Sequence, residues 1–180
     1  MTMTRKELLT RYAAGERDFR NADLRDANLR DVDLTGANLT EANLNGAILA
    51  GAILAGANLN GAILAGAYLN GANLTKATLF YANLFDANLY RANLANASLF
   101  HANLTEAILI GANLNGANLV GTILYEGDAT KVKVDLPLLQ TPSSPVWGQP
   151  RPPDALSGSR VVNGWLRTGY ATGNGDGGER

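Results

Sequence analysis

The chain has no cysteine and a single histidine, His101. It can therefore form no disulfide and no thiolate-ligated metal site, and no His-Cys-Asp cluster stands at ligand spacing. Neither a nucleophile motif nor a phosphate-binding or dinucleotide fingerprint is present, so no catalytic or cofactor residue is expected and the chain reads as a non-enzyme. Charge is also missing where it is usually found, because no charged residue stands between Ala42 and Thr75. Long apolar runs are missing too. Asn58, Asn60, Asn70 and Asn73 cut that neutral stretch into pieces shorter than the about 18 to 20 residues a membrane span needs, which excludes a transmembrane helix. No basic stripe marks a nucleic-acid interface. Proline and tryptophan are absent from the first 136 residues and gather in the last 44, from Pro137 onward.

What is present is a period. Leucine recurs at every fifth position from Leu24 to Leu124 without a miss, and Phe19 holds the preceding slot. Alanine stands two residues before each leucine, with Val32 and Thr122 as the departures. The unit is A-[ND]-L-x-x. On a helix a step of five turns through about 500°, which spreads successive leucines over every face. On a flat strand, with its period of two, an odd step throws them to alternate sides. A short extended piece followed by a corner in every unit puts all of them inside, and stacked coils of such units make a solenoid.

The motif resembles that of the pentapeptide-repeat family, over residues 17–126 and without a frame break; the plain repeat body is similar to cyanobacterial members. The resemblance implies an all-β solenoid, a right-handed quadrilateral β-helix with four pentapeptides per coil. About five coils at about 4.8 Å each would give a body about 25 Å long. Phe19, Leu24, Leu44, Leu64, Leu84, Leu104 and Leu124 are the expected core, with alanine beside them. Glycine at the second outer position predicts type II corners in the Gly-rich half, and different corners where Lys76, Tyr81, Asp86, Arg91 and His101 replace it. The asparagine before so many leucines is read as a stacked amide ladder or as caps for local backbone groups.

The ends break the pattern. Thr4-Arg5-Lys6-Glu7 reads as a capping box, and Leu8, Leu9 and Tyr12 give one apolar face to a short helix over residues 4–14. Residues 1–16 would thus cap the first coil and shield its edge. Residues 127–137 read as a degenerate terminal coil and 138–180 as a disordered tail. Val161, Val162, Trp165 and Leu166 offer a short docking segment within it. The N-terminus has no apolar export segment, so a cytoplasmic location is expected.

Function is expected in the surface of the repeats. Within residues 21–125 seven acids face four bases. Members of the family that protect gyrase do so as DNA mimics, but a duplex carries about one charge per 1.7 Å, so this excess is too small for that role. If positions 20 apart stack, Phe80 lies beneath Phe100, Tyr81 beneath His101, Tyr90 beneath Ile110, and Phe85 beneath Thr105 and Tyr125. Asp86, Glu106 and Glu126 then form an acidic column. Ile48, Ile53, Ile63 and Tyr68 are further outward apolar positions. These residues are the candidate surface for a protein partner, unless the aromatic stacks merely stabilise the coils. The expectation is an interaction scaffold, a monomer or weak homodimer, with no cofactor, nucleic acid or membrane in its function.

Overall fold

A computed structural model of the chain describes residues 2–124 and the paired strands Ser159–Val162 and Trp165–Thr168. The chain divides into two compact units, Met1–Gly148 and Gln149–Arg180.

In the first unit each residue before a leucine pairs in parallel with the residue 20 positions further on, as in Asp18↔Asn38, Asp23↔Asn43, Asn28↔Ile48 and Asp33↔Ile53. The coil is therefore 20 residues long and four-sided. Four columns of bridges define its faces: face I through Asn58, Thr78 and Ser98; face II through Ile63, Asn83 and Asn103; face III through Tyr68, Asn88 and Ile108; face IV through Ile53, Asn73 and Asn93. The alternation of extended pieces and corners answers the steric problem of a five-residue step, because alanine and leucine both point inward on every face. Leu24, Leu44, Leu64 and Leu104 are fully buried, Leu84 and Phe19 nearly so, and the alanines from Ala37 to Ala112 line the same core. Leu124, expected in that core, is only half-buried: among the described residues no coil lies beyond it.

The backbone hydrogen bonds explain why a stack of corners holds. Taking one unit as an example, Leu44 N–H donates to Ile63 O at 2.7 Å and Gly46 N–H to Ala65 O at 2.9 Å in the next coil. Asn43 N–H donates to Ala22 O in the preceding coil, and Ala47 N–H closes the corner on Leu44 O at 3.0 Å. The fifth N–H, on Asn45, has no backbone partner there and takes the Asn43 Oδ1 instead, at 3.1 Å. Every donor in the unit is then satisfied, as buried or half-buried backbone requires.

The corners correct one expectation. Glycines from Gly36 to Gly121 take φ of 62° to 72° at the second outer position, and together with the Ala-to-Leu bond this is the signature of a type II turn. But Lys76, Tyr81, Asp86, Arg91 and His101 do not build a different corner. They and six other non-glycine residues take φ of 53° to 61° at the same place. Three intercoil bonds per unit hold the coil to one shape, and the local cost of left-handed backbone, about 1–2 kcal/mol per residue, is overridden.

The N-terminal segment meets the lower edge of the repeats. Helix α1 spans Arg5–Ala13, with Thr4 as its N-cap. The Thr4 hydroxyl accepts from Glu7 N–H at 3.2 Å, which is one half of the capping box; the Glu7 carboxylate faces Arg11 at 3.8 Å. Leu8 is fully buried in the common core. Edge carbonyls of the first coil are taken from below: Met3 N–H donates to Asp23 O at 2.7 Å, Arg5 to Asn28 O at 2.9 Å, and the Tyr12 hydroxyl to Thr35 O at 2.8 Å.

In the second unit β1 (Ser159–Val162) and β2 (Trp165–Thr168) pair antiparallel, Val162 opposite Trp165 and Ser159 opposite Thr168. These two strands fall within the segment 138–180, whose composition reads as a disordered tail. The overlooked signal is Asn163-Gly164 between two apolar pairs, the strongest short-range mark of a hairpin. The rest of that segment, and the expected terminal coil over 127–137, lie outside the described residues.

A two-sided surface on the repeat coil

Three columns of corner residues bound faces II and III. The corner between I and II carries Phe80-Tyr81 and Phe100-His101; that between II and III carries Phe85-Asp86 and Thr105-Glu106; that between III and IV carries Tyr90-Arg91 and Ile110. The fourth corner, between IV and I, carries Ala55, Thr75-Lys76, Ala95-Asn96 and Asn115. Aromatic side chains are thus confined to one half of the coil's circumference from Tyr68 onward.

Exposure follows the same division. Of the large apolar side chains left exposed among the described residues, Ile53, at 39%, alone lies on face IV. Ile63 and Ile123 are on face II, Tyr68 and Ile108 on face III, and Phe80, Tyr81, Phe85 and Tyr90 on the corners that bound those faces. Ile48, also on face III, is half-buried. Tyr125 and Glu126, placed by their sequence spacing above Phe85 and Asp86, lie outside the described residues.

The rings are not all in the same situation. At the I/II corner Phe80 and Phe100 meet edge to face at 5.9 Å between centroids. Tyr81 stacks on His101 at 5.2 Å with an interplanar angle of 4°, and Phe100 lies against His101 at 4.2 Å. This cluster bridges two coils, and such pairs are worth about 0.5–1.5 kcal/mol each beyond the area they bury. Tyr90 lies under the Arg91 guanidinium, 5.0 Å from its centroid. Phe85 and Tyr68 are exposed, and among the described residues no other ring packs on either.

The asparagines act as caps first and as a ladder second. On faces I and IV the side-chain oxygen accepts the N–H two residues on, as in Asn58 to Asn60, Asn73 to Thr75, Asn93 to Ala95 and Asn113 to Asn115, all at 3.1 Å. Amides also link coils where they stack: Asn103 Nδ2 donates to Asn83 Oδ1 at 3.3 Å and Asn113 Nδ2 to Asn93 Oδ1 at 3.2 Å. An isoleucine or tyrosine at this position has no such oxygen. Ile48, Ile53, Ile63, Tyr68, Ile108 and Ile123 therefore give up a bond that their asparagine counterparts make, and all but Ile53, on face IV, are on faces II and III.

Charge divides the molecule lengthwise. In the first coils acids are met by arginines two residues on: Asp18 pairs with Arg20 at 2.7 Å and Asp23 with Arg25 at 2.8 Å. The guanidinium hydrogen bonds hold both carboxyls well below the usual carboxylate range, and the hydroxyl and N–H of Thr35 do the same for Asp33. Arg11 makes a bidentate contact with Glu16. Asp86 and Glu106 have no such partner, and neither do Asp26, Asp31 and Glu41: among the described residues every ion pair lies between Glu7 and Arg25.

A coil of four A-[ND]-L-x-x units, each with leucine and alanine inside, defines a class of protein rather than an activity. The model for pentapeptide repeats matches residues 18–55, 52–89 and 87–124, and the chain belongs to the pentapeptide-repeat family. Proteins of this family are generally non-enzymatic structural or interaction proteins. Among solved structures the chain is similar to HetL of the cyanobacterium Nostoc sp. strain PCC 7120, a pentapeptide-repeat protein involved in heterocyst differentiation regulation. The two share 37% identity with a TM-score of 0.70, over 74% of this chain and 58% of HetL. This chain thus spans little more than half the length of that relative. It is also similar to the pentapeptide-repeat protein Rfr23 of Cyanothece 51142, at 44% identity and a TM-score of 0.36 over 56% of this chain and 63% of that one. No curated protein matches the chain at significant similarity. No helix among the described residues is long and apolar enough to cross a membrane.

Proposed function

We propose that this protein is a cytoplasmic, non-enzymatic scaffold that binds another protein through faces II and III of a right-handed coil. In this reading the repeats form about five coils, α1 caps the first of them and keeps its edge from pairing with another chain, and the protein works as a monomer or weak homodimer. One observation carries the proposal. The chain replaces asparagine by isoleucine or tyrosine at six positions, five of them on faces II and III and one, Ile53, on face IV, each time forgoing a local hydrogen bond of about 0.5–1.5 kcal/mol, while leaving most of the replacing side chains exposed. Self-stabilisation does not explain an exposed apolar side chain that costs the coil a bond; burial under a partner does.

The ring cluster at the I/II corner supports a second role for part of the set, since Phe80, Phe100, Tyr81 and His101 hold adjacent coils together. Phe85, Tyr68 and Tyr90 are the cleaner markers of recognition. Gyrase mimicry is disfavoured by the same geometry, because Asp18 and Asp23 are neutralised by their own arginines and the middle of the coil carries no charge.

The test is affinity capture from the native host's lysate with the full chain and with the Tyr68→Ser, Phe85→Ser, Tyr90→Ser variant, both shown by circular dichroism to be folded. Loss of one specific protein from the variant is the expected result. Retention of the same proteins by both would place the binding surface elsewhere.

A further inference from the structure

The corner between faces II and III changes character along the coil. In the first coil it reads Arg25-Asp26, with the Arg25 guanidinium turned to Asp23 at 2.8 Å, and the next two coils carry the uncharged Asn45-Gly46 and Ala65-Gly66. Three coils later the same corner reads Phe85-Asp86, and the next coil adds Thr105-Glu106 directly above. An exposed phenyl ring stands where the first coil has arginine, and after two coils without an acid the position carries one in two successive coils. Two carboxylates one coil apart, about 4.8 Å in backbone spacing, repel each other. Neither has an ion-pair partner among the described residues, and the nearest basic column on this side holds Arg91, a corner away and laid over Tyr90.

We infer that the occupant of faces II and III is an arginine-bearing amphipathic segment of a partner protein, with its guanidinium seated at the II/III corner between the Asp86 and Glu106 carboxylates and the Phe85 ring. This rests on the reading that faces II and III bind a protein. The chemistry of the corner selects the residue type: two acceptors beside an aromatic face suit a planar, weakly hydrated cation that hydrogen-bonds through its edge and stacks through its face. Apolar side chains flanking that arginine would cover Ile63, Ile123 and Tyr68, which stand exposed on the adjoining faces. The partner thus supplies a cation to a corner that has none of its own. In the first coil the corresponding position holds a guanidinium, Arg25, in place of the ring, and offers no aromatic face to stack on.

A random peptide library displayed on phage and selected against the immobilised full chain tests this without presuming the partner. Three folded variants sort the outcomes: Asp86→Asn with Glu106→Gln, Phe85→Arg, and Lys76→Gln on the far corner. The expected result is enrichment of peptides with arginine next to apolar residues. Their affinity should fall about tenfold in the carboxamide variant, the size expected of two exposed ion pairs acting together, and should weaken with salt. Phe85→Arg, which removes the ring and places a cation beside the two acids, should abolish binding, and Lys76→Gln should leave it unchanged. Enriched peptides with no excess of arginine or lysine, or affinity unchanged by the carboxamides, would overturn the cationic occupant while leaving the surface in place. Peptides indifferent to Phe85→Arg and to the Tyr68, Phe85, Tyr90 serine variant would overturn the surface itself, as would a selection that enriches nothing. A dimer seen by sedimentation of the full chain and dissolved by Phe85→Arg would assign the side to a second copy and overturn the partner segment.

Discussion

Faces I and IV and faces II and III are built on one core and one backbone and share the asparagine cap, which Asn83 and Asn88 also make, but differ in how often an apolar side chain takes its place: five times on faces II and III against once, at Ile53, on the other half. On faces I and IV asparagine spends its side chain on the coil: Asn93 accepts from Ala95 N–H and from Asn113 Nδ2. On faces II and III Ile63, Tyr68 and Ile108 spend theirs on the solvent boundary. A repeat protein has few ways to make a site, because every coil must keep the same interior. Function has to be written in the residues that the fold leaves free, and here that means giving up a small local stabilisation along one half of the circumference.

The comparison breaks most completely where both sides share a cause. Leu64 is fully buried between them, so Leu64→Asp places an unpaired charge in the common core. The cost of several kcal/mol is comparable with a domain's whole stability of about 5–15 kcal/mol, and the variant should show no cooperative melting by circular dichroism. A folded variant with near-native melting would refute the inward leucines. A smaller effect distinguishes the sides. Asn93→Leu removes the acceptor of two hydrogen bonds and should lower stability by about 1–3 kcal/mol in denaturant titration. Tyr68→Ser, on the other side, should change it by less than about 0.5 kcal/mol. Equal losses would mean that the exposed tyrosine is part of the scaffold after all.

Acid sharpens the lengthwise contrast. The Asp18 and Asp23 carboxyls are held down chiefly by hydrogen bonds from Arg20 and Arg25. Their stabilisation is therefore fully present above the ordinary carboxylate pKa of about 4 and is lost as pH falls below it. Hydrogen exchange should show the first coils loosening as the pH drops below about 4, and Asp18→Asn with Asp23→Asn should flatten that dependence. Loosening confined to the later coils would contradict the assignment. The smallest effect belongs to the corners. Lys76 sits at φ 59° with its side chain exposed. Lys76→Gly relieves the left-handed backbone and adds unfolded-state freedom, two terms of about 1 kcal/mol that oppose each other. Melting should move by no more than a few degrees, and a loss above about 2 kcal/mol would show that the lysine side chain is anchored.

Most of the fold was legible because a five-residue step of leucine admits so few solutions. The alanine and leucine interior, the helix behind Thr4 and the vertical partners Phe80–Phe100 and Tyr81–His101 all follow from period and spacing. The corners at Tyr81 and Asp86 were not legible, because local preference disfavours a positive φ there and the intercoil bonds that override it act between residues about 20 apart. The pairing of strands 159–162 and 165–168 had a signal in the sequence, Asn163-Gly164, but it was submerged in a composition that reads as tail. The sidedness of the surface was half visible: the aromatics could be listed from sequence, but their confinement to faces II and III emerges only once the coil length is fixed at 20.

Hydroxyl-radical footprinting of the full chain, in buffer and in the native host's lysate, tests the two-sided surface most directly, since Ile53 provides an internal control on face IV. Protection of Tyr68, Phe85, Tyr90 and Ile108 in lysate with Ile53 still reactive is the result this account predicts. Protection that includes Ile53 equally, or none at all on faces II and III, would contradict it.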